Sequence, residues 1–138
     1  MKLAQHEVRI QTRGKTLLDI SDRIARAVAE SGVSTGLCTV FVQHTSASLV
    51  IQENADPRVR EDLEAWFSDL APESRRWVHD DEGSDDMPAH ARSALTRTSE
   101  TIPVQRGRLA LGMWQGLYLW EHRRRPHERR LVITIFGE

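Results

Sequence analysis

Val8, Ile10 and Thr12 recur at every second position near the N-terminus, and this spacing predicts a strand over residues 3–12. Arg13-Gly14-Lys15 interrupts it. The period then lengthens. Ile20, Ile24, Ala27 and Val28 fall on one face of a helix over residues 19–31, with Asp19 or Ser21 to cap its start and Gly32 to end it. Residues 37–43 are apolar and rich in β-branched side chains, which predicts a strand buried on both faces. Residues 47–52 read as a second strand adjacent to it. Asp56-Pro57 joins an N-cap to proline at the first helical position. Val59, Leu63, Trp66, Phe67 and Leu70 then mark one helical face, and Pro72 closes the helix region. Residues 72–90 are polar and short of core formers, after which Pro88 opens a short helix to about Leu95. Strands are predicted over residues 99–104, 108–113, 116–122 and 129–136. Two main helices followed by a run of antiparallel strands imply an α+β fold of sheets or a sandwich, one domain over residues 1–138.

Composition narrows the function classes. Of 138 residues, 39% are hydrophobic and 28% charged, the balance of an ordinary soluble globule. The formal net charge of −1 argues against a nonspecific nucleic-acid partner, which needs a basic excess. Cys38 is the one cysteine, so no intramolecular disulfide forms; its apolar setting predicts a buried core residue. The N-terminal residues lack an apolar leader, and nothing approaches the roughly 20 apolar residues that span a bilayer. A cytoplasmic location and no membrane partner are expected.

Three segments carry candidate chemistry. Residues 79–90 pack five carboxylates (Asp80, Asp81, Glu82, Asp85, Asp86) between His79 and His90. Such crowding is costly unless a cation or arginines relieve it. Imidazole with carboxylate suits zinc, manganese or iron, and carboxylate with water suits magnesium. The second segment, His44-Thr45-Ser46-Ala47-Ser48, places an imidazole and three hydroxyls where the chain turns; an anion site, a metal site and a Ser-His pair are all open readings. The third is the strand end Glu121-His122-Arg123. Alternation puts Glu121 on the face of Leu117 and Leu119, and His122 on the face of Tyr118 and Trp120. A carboxylate on an apolar face needs a partner, an arginine or a metal. The basic run Arg123-Arg124-Arg125-Pro126-His127-Glu128-Arg129-Arg130 reads as a charged hairpin turn, since no aromatic residues are interleaved for base stacking.

Taken together, His44-Thr45-Ser46-Ala47-Ser48-Leu49, Glu53-Asn54 with Asp56-Pro57, His79-Asp80 with Glu82-Gly83 and Asp85-Asp86-Met87-Pro88-Ala89-His90, Trp114-Gln115-Gly116, Glu121-His122-Arg123 and Gly137-Glu138 resemble the YjbQ family, also described as secondary thiamine-phosphate synthases. The match runs end to end and in order. Where some relatives carry cysteine, this chain has Ala55, so no essential thiol is expected there. The resemblance implies trimeric α+β subunits, a metal- or anion-binding site, and a transferase reaction. That reaction joins hydroxymethylpyrimidine diphosphate to thiazole phosphate and releases pyrophosphate. A divalent metal (zinc, magnesium or manganese) would then be held by His44, His79, His90, His122 and Asp85. Catalytic roles would fall to His44, Ser46, Glu82, Asp86, Glu121 and Arg123, and a small phosphorylated metabolite would meet Thr45, Ser48, Asn54, Trp114 and Gln115. The four histidines His44, His79, His90 and His122 are expected in one cleft, with His6 and His127 dispensable. A metal-dependent hydrolase, or a non-catalytic binder of a phosphorylated metabolite, would use the same parts.

Overall fold

A computed structural model describes residues 1–138. In chain order the elements are β1 (Lys2–Gln11), β2 (Thr16–Asp19), α1 (Ser21–Ser31), β3 (Gly36–Val42), β4 (Ala47–Glu53), α2 (Pro57–Leu70), α3 (Asp86–Leu95), β5 (Ser99–Gln105), β6 (Arg108–Leu109), β7 (Gln115–Glu121) and β8 (Glu128–Gly137). The fold is α+β, with three helices and two antiparallel sheets. One sheet has the order β1-β8-β3-β5-β6 and the other β2-β7-β4.

Alternation along the strands decides which faces are buried. Cys38, Val40 and Val42 of β3 and Leu131, Ile133 and Ile135 of β8 point inward. They meet Leu49, Leu117 and Leu119 of the smaller sheet and Ile24 and Val28 of α1 in one core of 18 residues. Burial pushes the Cys38 thiol up to about 11, which makes it an inert core residue. The other face of β7 is also buried, because α2 lies on it: Phe67 stacks on Trp120 at 4.6 Å between ring centroids, with Tyr118 and Leu17 alongside. The layers therefore run larger sheet, α1 and core, smaller sheet, α2. No helix is long and apolar enough to cross a membrane.

Several expectations are corrected. β3 is not buried on both faces; Leu37 and Phe41 are exposed on its outer side. β4 does not pair with β3 but with β7, from Ala47 opposite Glu121 to Glu53 opposite Gln115. The strand expected over residues 108–113 stops at Leu109, and a turn closed by Gly112 and Gln115 follows. β2, which pairs with β7, lies within the stretch first read as loop and helix start. Helix α1 begins one residue past Ile20, which holds the N-cap position; Asp19 instead accepts the Ser21 backbone N–H at 2.9 Å, while Gly32 ends the helix in the left-handed conformation. Helix α3 starts at Asp86, two residues before Pro88, so the proline falls in the first turn, where its missing N–H matters least.

The start of α2 follows expectation. The Asp56 carboxylate accepts the Arg58 backbone N–H at 2.9 Å, and Pro57 occupies the first turn. Asp56→Ala should lower stability by about 1 kcal/mol in urea unfolding, the usual value for a lost N-cap. A loss of activity at unchanged stability would place Asp56 in the site instead.

Candidate functional site

Three loops converge where β7 ends. They are the β3–β4 turn, the acidic segment that leads into α3, and the β7–β8 turn. Their meeting point is Asp86, whose side chain is almost fully buried at the first residue of α3. Its Oδ1 accepts Arg123 Nη1 at 2.5 Å. Its Oδ2 lies 2.8 Å from His79 Nε2 and 3.1 Å from His90 Nε2. His90 follows Asp86 by four residues, so the helix itself places both on one face. Glu82 brings Oε2 to 3.5 Å from His79 Nε2. Ligand atoms of His79, Glu82, Asp86 and His90 all lie within 4.8 Å of one another.

The hydrogen bonding of His90 gives the cluster its chemistry. Its Nδ1 lies 2.9 Å from the Thr45 carbonyl, which can only accept, so Nδ1 carries the hydrogen. In neutral His90 the Nε2 lone pair then faces the Asp86 carboxylate. Two acceptors at 3.1 Å require a proton or a cation between them. A backbone carbonyl fixing the far nitrogen is also how metal-binding imidazoles are commonly oriented. Two imidazoles and two carboxylates fit zinc or manganese better than magnesium.

Electrostatics support this reading. The hydrogen bond that His79 donates to Asp86, with Glu82 and Asp81 nearby, raises His79 above its ordinary value. Burial pushes Asp86 up, but the His79 hydrogen bond and the charges of His90 and Arg123 outweigh it and hold the carboxyl low. Asp85 is held low in the same way: burial is outweighed by the Arg124 backbone N–H at 2.8 Å and the Arg123 guanidinium at 3.2 Å.

The remaining candidates divide. Arg123 is immobilised, giving Nε to Asp85, Nη1 to Asp86 and Nη2 to the Glu82 carbonyl. It organises the acidic segment rather than standing free as a phosphate clamp, and Asp85 serves as its anchor rather than as a ligand in the cluster. Glu121 is fully buried and accepts from Arg129 Nε at 2.8 Å, Arg129 Nη2 at 2.5 Å, Thr12 Oγ1 at 2.6 Å and the Arg123 N–H at 3.2 Å. Its expected partner is thus an arginine, and no face of the carboxylate is open for catalysis. Arg129 also donates to Ser46 Oγ at 3.0 Å, so Ser46 steadies the turn that presents Thr45. His44 accepts the Arg130 backbone N–H on Nε2 at 2.8 Å. Burial and the charges of Arg129 and Arg130 lower its pKa. The ring is therefore neutral, with Nδ1–H as a donor rather than a metal ligand.

His122 does not join the cluster. It is fully buried beside Trp120; Arg92 Nε donates to its Nδ1 at 3.2 Å, and its Nε2–H donates to Ser48 Oγ at 2.8 Å. Burial and the neighbouring Arg92 charge hold it well below the ordinary histidine value. Ser48, also fully buried, is out of reach of any substrate. Asn54, Trp114 and Gln115 lie at the far end of β4 and β7, six residues along the paired register and so roughly 20 Å from Glu121. There the Asn54 amide donates to the Met113 and Gln115 carbonyls and locks the turn.

The basic run, read from sequence as a solvated turn, contributes more than expected. Arg124, Arg125 and His127 line a polar cleft of about 680 Å³ together with Asp81, Glu82, Gly83, Asp85 and Arg123. It opens directly beside the cluster, with which it shares Glu82. Of the two histidines expected to be dispensable, His127 therefore lies at the site.

Comparisons with known proteins agree with the fold and with the family. The model of the family described as UPF0047 protein YjbQ-like matches residues 6–138. A UPF0047 protein of Synechocystis sp. is 60% identical over 130 residues, 94% of this chain and 88% of that one. The UPF0047 protein YjbQ of Escherichia coli O157:H7 is 43% identical over 120 residues, 86% of this chain and 87% of its own. Among solved structures, a YjbQ/UPF0047 family protein from Clostridium acetobutylicum superposes with a TM-score of 0.88 at 34% identity, covering 95% of this chain and 99% of that one. A protein of unknown function from Sulfolobus solfataricus gives 0.88 at 27% identity, covering 99% of both chains. On the family model, the identities and the shared fold, this chain belongs to the YjbQ/UPF0047 family.

Proposed function

We propose that His79, Glu82, Asp86 and His90 hold a divalent cation and that the adjoining cleft receives a small phosphorylated metabolite. The observation that carries this reading is the convergence of His79 Nε2 and His90 Nε2 on Asp86 Oδ2, with the other nitrogen of His90 committed to the Thr45 carbonyl. The reaction that fits best is the one the family resemblance implies: thiamine-phosphate synthesis, in which a carbon–nitrogen bond forms and the carbon–oxygen bond to diphosphate breaks. A divalent cation held by His79, Glu82, Asp86 and His90 would supply positive charge to the departing diphosphate. Arg125 and His127 also line the cleft and offer donors to phosphoryl oxygens. His44 offers its Nδ1–H from the adjacent turn. Arg123 keeps the carboxylates in place. The setting consistent with this chemistry is the cytoplasm.

Purified protein should contain or take up about one zinc or manganese per chain. Given the pyrimidine diphosphate and the thiazole phosphate, it should release pyrophosphate with formation of the carbon–nitrogen bond. Water consumed without that bond would make the protein a hydrolase; binding without turnover would make it a carrier. Absence of metal uptake would remove the cation centre from the reading.

The same reading includes a homotrimer. Its support is the outer face of the larger sheet, which no helix covers and where Leu3, Phe136, Leu37 and Phe41 are exposed. Light scattering at micromolar concentration should give three times the chain mass of 15.8 kDa. A single-chain mass would end this part.

A further inference from the structure

Helix α3 carries two of the four cluster residues, yet it buries no large apolar side chain. Its buried residues are Asp86, Pro88, Ala89, Arg92 and Ser93, and Leu95 is exposed. Its N-cap residue, Asp85, makes no capping bond and is engaged with Arg123 and Arg124. Neither the hydrophobic effect nor capping therefore explains where this helix sits.

Arg92 does. It is 1% exposed, the most deeply buried charge on the helix. An unpaired charge there would be costly, and Arg92 is paired on Nε and Nη2. The guanidinium forms an ion pair with Glu64 of α2 and donates Nε to His122 Nδ1 at 3.2 Å beyond the end of β7. It also lies over two rings, 5.6 Å from Trp120 and 5.9 Å from Phe67. His122 continues the chain by donating to Ser48 Oγ of β4, and Ser48 accepts the Thr96 hydroxyl at 2.6 Å. Thr96 is the C-cap residue of α3. The network thus leaves α3 at Arg92 and returns to it at Thr96, through His122 just past β7 and Ser48 of β4. A planar fork with directional donors fixes rotation and translation, which a greasy contact does not.

We infer that Arg92 is the positioning residue of the cluster: through Glu64 and His122 it sets the register of α3, and hence where Asp86 and His90 stand relative to His79 and Glu82. Arg92 lies about 200° around the helix from His90, so one face is pinned while the other presents ligands. Its consequence for cation binding rests on the reading of the cluster given above; the geometric consequence does not.

The test uses the full chain in three variants. Arg92→Met keeps the stem and deletes the donors. Arg92→Lys keeps the charge but cannot serve Glu64 and His122 together. Glu64→Gln is the mildest change and leaves Arg92 in place. Manganese affinity and the ring-nitrogen NMR signals of His79 and His90 are read well below each variant's unfolding midpoint. All three should shift the two histidine signals, and Arg92→Met should weaken manganese binding by about 10–100-fold, the range for outer partners of metal ligands. Arg92→Lys should recover much of the unfolding midpoint but not the affinity. A role confined to stability predicts the opposite, lower midpoints with parent-like affinity and parent-like ring signals, and that result overturns the proposal. If Arg92→Met does not fold, the other two variants decide. If the parent binds no manganese, the cation reading fails by itself, and the ring signals decide the positioning role: changed signals sustain it and unchanged signals overturn it.

Discussion

Glu121→Ala should destabilise the protein by about 3–5 kcal/mol, the range for removing one partner of a buried ion pair. Glu121 has no exposed surface, and Arg129 opposite it is 3% exposed. Deleting the carboxylate leaves a buried guanidinium without a counter-charge. It also leaves the Arg123 backbone N–H without its acceptor and takes one partner from the Thr12 hydroxyl, which keeps the His127 backbone. The loss would spread to the site, because Arg129 holds Ser46 and Glu121 holds the start of the β7–β8 turn. The pH dependence has a definite sign. Burial raises the Glu121 carboxyl, but Arg129 and Thr12 outweigh it, and its folded-state value lies below the unfolded reference of 4.5. Stability from this group is therefore present above about 4.5 and disappears as pH falls through the folded-state value. Glu121→Gln should flatten that acid limb while costing less than the alanine change. Denaturant unfolding at pH 7 and across the acid range measures both. A loss under about 1 kcal/mol for Glu121→Ala would mean that the pair contributes little net stability.

The sequence carried much of the placement of Glu121 and His122, because alternation along β7 assigns faces. It put Glu121 with Leu117 and Leu119, hence a buried carboxylate in need of a partner, and Arg129 is that partner eight residues on. The same alternation put His122 with Tyr118 and Trp120. That face proves to lie under α2, away from the cluster, so the pattern itself held the signal that separates His122 from His79 and His90. Alternation tells faces, not partners. This is why β3 and β4, close in sequence, were expected side by side although they lie in different sheets. It is also silent on short pieces such as β2, whose four residues are too few to show a period.

The site was legible as a set of segments and illegible as a geometry. The three chemistry-bearing segments do meet at the end of β7. What orients His90 is the Thr45 carbonyl, and a backbone acceptor leaves no mark in a sequence. Arg92 left none either, since an arginine on a short polar helix reads as solvated. The family resemblance groups Asn54, Trp114 and Gln115 with the site, but strand register carries them to the opposite end of the sheet.

Asp86→Asn should abolish measurable metal uptake, or weaken it by more than the 10–100-fold typical of outer partners, because Asp86 is the group the others converge on. The substitution keeps size and the hydrogen-bond acceptor toward Arg123 but removes the negative charge between His79 and His90. The effect on protonation separates a site role from a folding role. In the parent, the Asp86 hydrogen bond raises His79 above 6.5, so protons compete for the ring over a higher pH range than usual. Metal affinity should therefore begin to fall above pH 6.5 as pH decreases, with proton release on binding. In Asp86→Asn the main cause of the rise is gone, and the His79 titration followed by ring NMR should move down toward the ordinary value. The stability linkage has the matching sign. A raised folded-state value adds stability below the unfolded value, and that stability is lost as pH climbs through the folded one. Asp86→Asn should remove that dependence. If His79 titrated unchanged in Asp86→Asn and metal binding persisted, the cluster would be an acidic surface feature, and the cation centre would have to be sought elsewhere.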